Sequence, residues 1–347
     1  MLEKHKHISF PPKTDFPIFQ VDDEKCIGCG RCVNSCPIQL LMLNSDKKAR
    51  PNERYDHFRC ICCQNCAASC PNDAITILGD YRVHEGFWKN DNLFEGGKTF
   101  PDPLYSRNGA KYEDYKDQLT ETEKVIYNRR SIRLYKKKRV SKEMVHRVIE
   151  AGRFAPSAGN NQPWKFVAIT NPDVIEEIDQ ICKKRVRLFP QMLMPHPWVD
   201  KQVPGDKNAK PKKWQKTLHY LLSRKTPGDV DQRVLGGINT ISSDPEYRTF
   251  FKAPALIILA KDVRGIGSPD LDLGICGQNM VLAAHSLGLG TCWVSLIKGL
   301  TWDHSYVRKV LGLEYPFKIL TSLTLGYPAG QVDNIVARER QRVNWIE

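Results

Sequence analysis

The chain has no long apolar run. Its longest fully apolar stretch, Ala253 to Ala260 around Pro254, is far too short to cross a bilayer, so no membrane span is expected. An apolar export segment is missing from the opening Met1-Leu2-Glu3-Lys4-His5, which argues for a cytoplasmic protein and against a disulfide framework for its 12 cysteines. A dinucleotide fingerprint is also missing. Leu287-Gly288-Leu289-Gly290 follows a helix-like stretch rather than a strand and has no third glycine, so a Rossmann NAD site is not expected. The basic residues are not interleaved with aromatics and belong to no recognition module, which leaves no basis for nucleic-acid binding. No side-chain acid or base stands out as essential; His196, His219 and Tyr220 read as solvated or core residues.

Cysteine is present in a strict pattern. Cys26, Cys29 and Cys32 stand three apart and are followed by Cys36-Pro37, and Cys60, Cys63 and Cys66 repeat the spacing before Cys70-Pro71. Paired CxxC elements can hold structural zinc, but zinc takes four ligands in its own local unit and needs neither the third cysteine of the triplet nor the trailing Cys-Pro. Three closely spaced thiolates followed by a fourth that points away suit a pair of iron-sulfur cubanes that share ligands across the two runs. Over about residues 16 to 80 the chain resembles bacterial ferredoxins of the two-[4Fe-4S] type. The resemblance implies Cys26, Cys29, Cys32 and Cys70 for one cluster and Cys60, Cys63, Cys66 and Cys36 for the other, in a small pseudo-symmetric fold that passes single electrons. Cys62 is left over, a small buried side chain rather than a ligand. An internal repeat is expected, because Ile75-Thr76-Ile77-Leu78 echoes Leu40-Leu41-Met42-Leu43 after the first set.

Net charge is carried elsewhere. Residues 1 to 80 balance ten Lys/Arg against ten Asp/Glu, so the formal surplus of +13 belongs to the remainder. Two loaded clusters would lower it to about +9, still enough to attract anions. The expected organisation is a ferredoxin domain over 1–82, an ordered connector over 83–119 and a second domain over 120–347, the last interrupted by a basic, proline-broken insertion at about 183–216 with ten Lys/Arg against Asp200 and Asp206.

The second domain alternates helices with strands. Helices are expected over Glu121 to Asn128, from a Ser141 cap, over Asp173 to Lys184, Leu271 to Leu287 and Val307 to Leu311; strands over Lys165 to Thr170, Ala255 to Ala260 and Ile319 to Leu325. Arg129, Arg130, Ser131 and Arg133 form a compact group at a helix end, where guanidinium forks fit a phosphate or stand as a solvated basic face. Pro156 to Trp164 sets hydroxyl and amide groups on a tight turn beside a tryptophan, which suits a planar heterocycle or an ordinary helix-strand connection.

Arg-Arg-Ser-Ile-Arg (129–133), Pro-Ser-Ala-Gly-Asn-Asn-Gln-Pro-Trp (156–164) and Leu-Gly-Tyr-Pro-Ala (325–329) together resemble the nitroreductase family of FMN enzymes. The resemblance covers about 120 to 347 and implies an α+β sandwich with a mixed or antiparallel central sheet, as a homodimer with FMN at the subunit interface. It also implies roles for individual residues. Arg129 and Ser131 match phosphate-side positions, with Arg130 beside them, and Arg133 matches the basic residue at the N1/O2 edge of the flavin. Pro156, Ser157, Ala158 and Asn160 match a turn supplied by the partner subunit, Trp293 and Val294 fall near flavin N5, and Arg338 and Arg340 match closing phosphate contacts. Joined to two clusters, such a domain would convert single electrons into pairs for a small oxidised substrate, drawing on reduced ferredoxin or on NAD(P)H. The alternative is a relay to another protein.

Overall fold

The computed structural model describes residues 14–15, 18–52, 60, 63–78, 82–83, 98–99, 101–103, 112–193, 214, 217, 241, 246–330, 335–336, 338–339 and 343–347. Cys62, Arg340, His196, His219, Tyr220 and most of 183–216 lie outside them. The chain divides into two compact units, 1–119 with 187–240 and 332–347, and 120–186 with 241–331.

In the first unit β1 (Thr14–Asp15) and β2 (Ile18–Val21) lead to α1 (Arg31–Ser35), the hairpin β3 (Leu41–Leu43) and β4 (Ala49–Pro51), α2 (Asn65–Ala68), β5 (Ile75–Leu78), β6 (Arg82–Val83), β7 (Lys98–Thr99) and α3 (Tyr112–Tyr115). The internal repeat is visible in its pairing. β2 runs antiparallel to β5, and each short helix starts from a left-handed residue, Gly30 for α1 and Gln64 for α2. Ser35 and Ser69, each just ahead of its Cys-Pro, meet through their hydroxyls at 2.9 Å, where the two halves face each other. The core here is small: Cys32, Leu41, Ala49, Cys70, Ala74 and Ile75, with five of the eight expected ligands packed in or against it.

The second unit is built on an antiparallel sheet. Its elements are α4 (Glu121–Asn128), α5 (Lys142–Arg153), β8 (Trp164–Ile169), α6 (Pro172–Leu193), β9 (Ala255–Asp262), α7 (Pro269–Ser286), β10 (Gly290–Trp293), α8 (His304–Lys309) and β11 (Phe317–Gly326). A last strand, β12 (Arg338–Glu339), pairs with β7 and belongs to the first unit. Strand order is β10-β11-β9-β8, every pairing antiparallel, with one parallel bridge from Ser131 to Thr291 added at the β10 edge. The fold is α+β.

Alternation along β9 makes two cores. Ala255, Ile257 and Leu259 face α5 and α7, whereas Leu256, Ile258 and Ala260 face the side of α6 and α8, and all six are at most 1% exposed. Burying each Ile or Leu contributes about 1.5–3 kcal/mol. Surface ion pairs such as Lys124–Glu121 at 2.8 Å are worth about 0–1 kcal/mol, so this strand rather than charge anchors the unit. The helix starts are local chemistry: Thr120 and Glu123 close a capping box on α4, and the Ser141 hydroxyl accepts from the Met144 N–H on α5.

α6 departs from expectation. It runs on to Leu193, into the stretch read as irregular, because Ile175, Ile178, Cys182 and Val186 keep one buried stripe through the basic residues Lys183 to Arg187.

Candidate functional site

The eight expected cysteines gather as two quartets in the first unit. Cys26, Cys29, Cys32 and Cys70 line one open hollow of about 330 Å³; Cys36, Cys60, Cys63 and Cys66 line another of about 440 Å³. The fourth member of each comes from the other sequence run. Two left-handed glycines shape the first loop, and at Gly28 a side chain would strike the Lys47 carbonyl, so backbone approaches there as only glycine permits. Sulfur is met by backbone donors in the same way in both halves: the Leu40 N–H to Cys36 Sγ at 3.4 Å, the Ala74 N–H to Cys70 Sγ at 3.2 Å. Burial pushes the Cys32 thiol up to about 11, with the thiols of Cys29, Cys70 and Cys26 adding to it. Burial likewise raises Cys36 and Cys66, the latter with Cys63, Cys36 and Cys60 close by. Among the described residues no three His, Cys, Asp or Glu side chains are grouped at the spacing of a single metal ion.

In the second unit the segment after α4 is stitched to the sheet edge. The Ile132 N–H donates to the Thr291 carbonyl at 2.8 Å, and Gly290 leaves room for Ile132, since a Cβ there would stand 2.6 Å from its side chain. Tyr135, half-buried, donates or shares hydrogen bonds at 2.7 Å with the Ile132 carbonyl and Thr324 Oγ1, and desolvation of its phenol pushes the pKa far above the usual range. This fastening brings Arg129, Ser131 and Arg133 around the buried Cys292 thiol; burial raises that thiol, while Arg133, the Ser131 hydroxyl and Arg129 oppose the rise. Arg130 is buried and turns Nη1 to the carbonyls of Tyr127 at 3.1 Å and Arg129 at 2.9 Å, at the end of α4. Arg133 reaches over the Phe251 ring, 5.8 Å from its centre.

Trp293 lies on the same edge strand, pressed against α7 at Gly277, where a side chain would collide with the indole. Val294 is buried; its N–H donates to the Ser322 carbonyl at 2.9 Å and its carbonyl accepts from Ser322 Oγ at 2.8 Å.

The turn Pro156–Asn160 stands elsewhere. It enters β8, on the opposite edge of the sheet, and packs on the 262–268 loop: a Cβ on Gly159 would stand 2.9 Å from Ile266, and one on Gly267 would stand 2.7 Å from Ala158. Pro156 and Asn160 are exposed, Ser157 and Ala158 half-buried, and Ser157 Oγ accepts from the Gln162 N–H at 2.9 Å. From Trp164 to Thr291, pairing through Lys261 and Lys318 to Leu325, the register runs about 23 Å along the strands and about 14 Å across them. Arg338 is exposed on β12, opposite Thr99 in the first unit.

Sequence reasoning missed His285 and the role of Cys292 as a neighbour of the arginines. His285, half-buried at the end of α7, has its pKa lowered by burial and then by Arg129 and Arg130, so a neutral imidazole is favoured beside that cationic group. Only packing of α4 on α7 brings it there.

Two family models match. The 4Fe-4S dicluster domain covers residues 25–76, and the nitroreductase family covers 126–327, more than half of the chain. A 4-nitrobenzoate reductase of Pseudomonas putida is 25% identical over 206 residues, 58% of this chain and 83% of that protein. A nitrobenzene nitroreductase of Ectopseudomonas oleovorans is 26% identical over 227 residues, 64% of this chain and 92% of that protein. Among solved structures, a nitroreductase with bound FMN from Desulfitobacterium hafniense is 21% identical with a TM-score of 0.45, covering 66% of this chain and 100% of its own. The two-core antiparallel sheet, the arginine segment on its edge and the match over residues 126–327 lead to one conclusion: the chain belongs to the nitroreductase family of FMN-dependent oxidoreductases, preceded by a domain of the 4Fe-4S dicluster type.

Proposed function

We propose that this chain takes electrons one at a time at two [4Fe-4S] clusters and delivers them in pairs, from FMN, to a small oxidised organic substrate such as a nitro compound or an activated alkene. The observation that carries the reading is the exchange of the fourth cysteine between the two quartets. Each hollow is ringed by four cysteines, the number of thiolates that one cubane takes. Cys26, Cys29, Cys32 and Cys70 would hold one cluster and Cys60, Cys63, Cys66 and Cys36 the other.

When bound, the clusters supply single-electron transfer and the flavin supplies the change from singles to pairs. Arg129, Arg130 and Ser131 would supply the phosphate side. Arg133 stabilises the negative charge that reduction leaves at the N1/O2 edge. Trp293 and Val294 lie beside N5, and with both Val294 backbone groups engaged by Ser322 that wall is rigid.

Two copies of the chain complete each site. Pro156, Ser157, Ala158 and Asn160 stand at the far corner of the sheet from Arg129–Arg133, so in this reading the partner subunit supplies the turn. The surface around that turn supports the pairing, because Phe154, Ile266 and Leu271 leave 72%, 57% and 61% of their area exposed. Electrons enter from reduced ferredoxin, with NAD(P)H as a second route.

The test is turnover without a protein partner. Full-length protein reduced chemically is expected to reduce a small nitroaromatic or enone repeatedly. Reduction that stops after one flavin equivalent, and restarts only when a protein acceptor is added, would replace this reading with that of a relay.

A further inference from the structure

Among the described residues, the surroundings of the two cysteine quartets are not electrostatically alike. Between β3 and β4 Asn44 builds a tight turn, its side-chain Oδ1 accepting from the backbone N–H groups of Asp46 at 3.1 Å and Lys48 at 2.8 Å, and its backbone N–H donating to the Lys48 carbonyl at 2.9 Å. Lys47 takes a left-handed φ of 57° and sets its carbonyl against Gly28, so the turn abuts the loop that carries Cys26 and Cys29. From there Lys48 Nζ donates to the Cys26 carbonyl at 2.6 Å and the Asp23 carbonyl at 2.8 Å. Both acceptors are neutral. Two of the neighbouring carboxylates are engaged by other cations, Asp23 by both Nη atoms of Arg50 at 2.7 Å and Asp22 by Lys25 at 3.2 Å. Lys48 is therefore an ammonium held by backbone at the shoulder of the first quartet. Around the second, the described wall is apolar apart from its cysteines and Gln64, with Phe19, Ile38, Leu40 and Ile77 among its members.

We propose that Lys48 sets the two clusters apart in potential, so that a single electron rests preferentially on the one held by Cys26, Cys29, Cys32 and Cys70; the inference rests on the two-cluster reading above. Reduction of a [4Fe-4S] centre from its 2+ to its 1+ core adds one negative charge and makes or breaks no bond. A fixed ammonium favours that charge, and an apolar wall disfavours it. Lys48 thus acts as a positioning charge and touches no substrate.

The experiment is a redox titration of the full, anaerobically loaded chain with dithionite and mediators, followed by electron paramagnetic resonance, which reads potentials rather than turnover. Lys48→Met is expected to shift the sharing of one electron about tenfold away from the first cluster, about 59 mV in the separation of the two steps. Lys48→Arg, which keeps the charge, is expected to restore most of that separation. With iron and sulfide at the native level, unchanged steps in Lys48→Met, or an equal shift of both, would overturn the inference alone. A native chain that binds no iron and sulfide would overturn it together with the two-cluster reading.

Discussion

Cys70→Ala is expected to remove the same half of the iron as Cys26→Ala, and Cys36→Ala the same half as Cys60→Ala. The reason is the crossing of ligands: Cys70 lines the hollow of Cys26, Cys29 and Cys32, although 38 residues separate it from Cys32 and only four from Cys66. Losing one thiolate from a cubane leaves an iron corner open in a core that contains few other buried residues, so a stability loss accompanies the halved iron. Iron analysis and electron paramagnetic resonance of the four variants check it, with Cys62→Ala expected to keep both signals. If Cys36→Ala instead removed the signal that depends on Cys26, each run would be a self-contained ligand unit and the crossed assignment would fail.

A second large effect concerns the flavin. Arg129→Glu and Ala158→Glu chains are each expected to lose nearly all FMN, the first by repelling the phosphate and the second by placing a carboxylate in the turn. A heterodimer of the two, isolated with different tags, is expected to regain FMN in one of its two sites, half the native content. The expectation rests on the sheet: Trp164, which follows the turn, and Thr291, which bridges to Ser131, lie on opposite edges, about 23 Å apart along the strands and about 14 Å across. Leu271→Asp, which puts a charge into the exposed apolar surface beside the turn, is expected to yield monomers without flavin. Restored content of zero in the mixed dimers, measured by flavin absorbance against protein, would mean that both segments act within one chain.

Much of this was legible in residue order, and the exceptions have identifiable causes. The Ser141 cap and the apolar run Ala255–Ala260 located α5 and β9 to within a few residues, because both signals act locally. The cysteine spacing is equally local. The far end of α6 was not legible, since Lys183 to Arg187 hide a buried stripe that only the packed core reveals. Lys48 and His285 lack any motif for the same reason: one reaches Cys26 through a turn, the other meets Arg129 and Arg130 through helix packing. The corner-to-corner separation of 156–160 from 129–133 depends on strand order, a property of the sheet and not of either segment.

The most direct test of the central claim is to follow iron-sulfur and flavin absorbance together while anaerobic full-length protein, with its iron, sulfide and FMN quantified, receives reductant one electron at a time. The account predicts that electrons taken up at the metal centres bleach the flavin of the same protein, two per flavin, with no mediator added. Protein with its full iron and sulfide that retains no FMN, or FMN that stays oxidised while the metal centres are reduced, would contradict it.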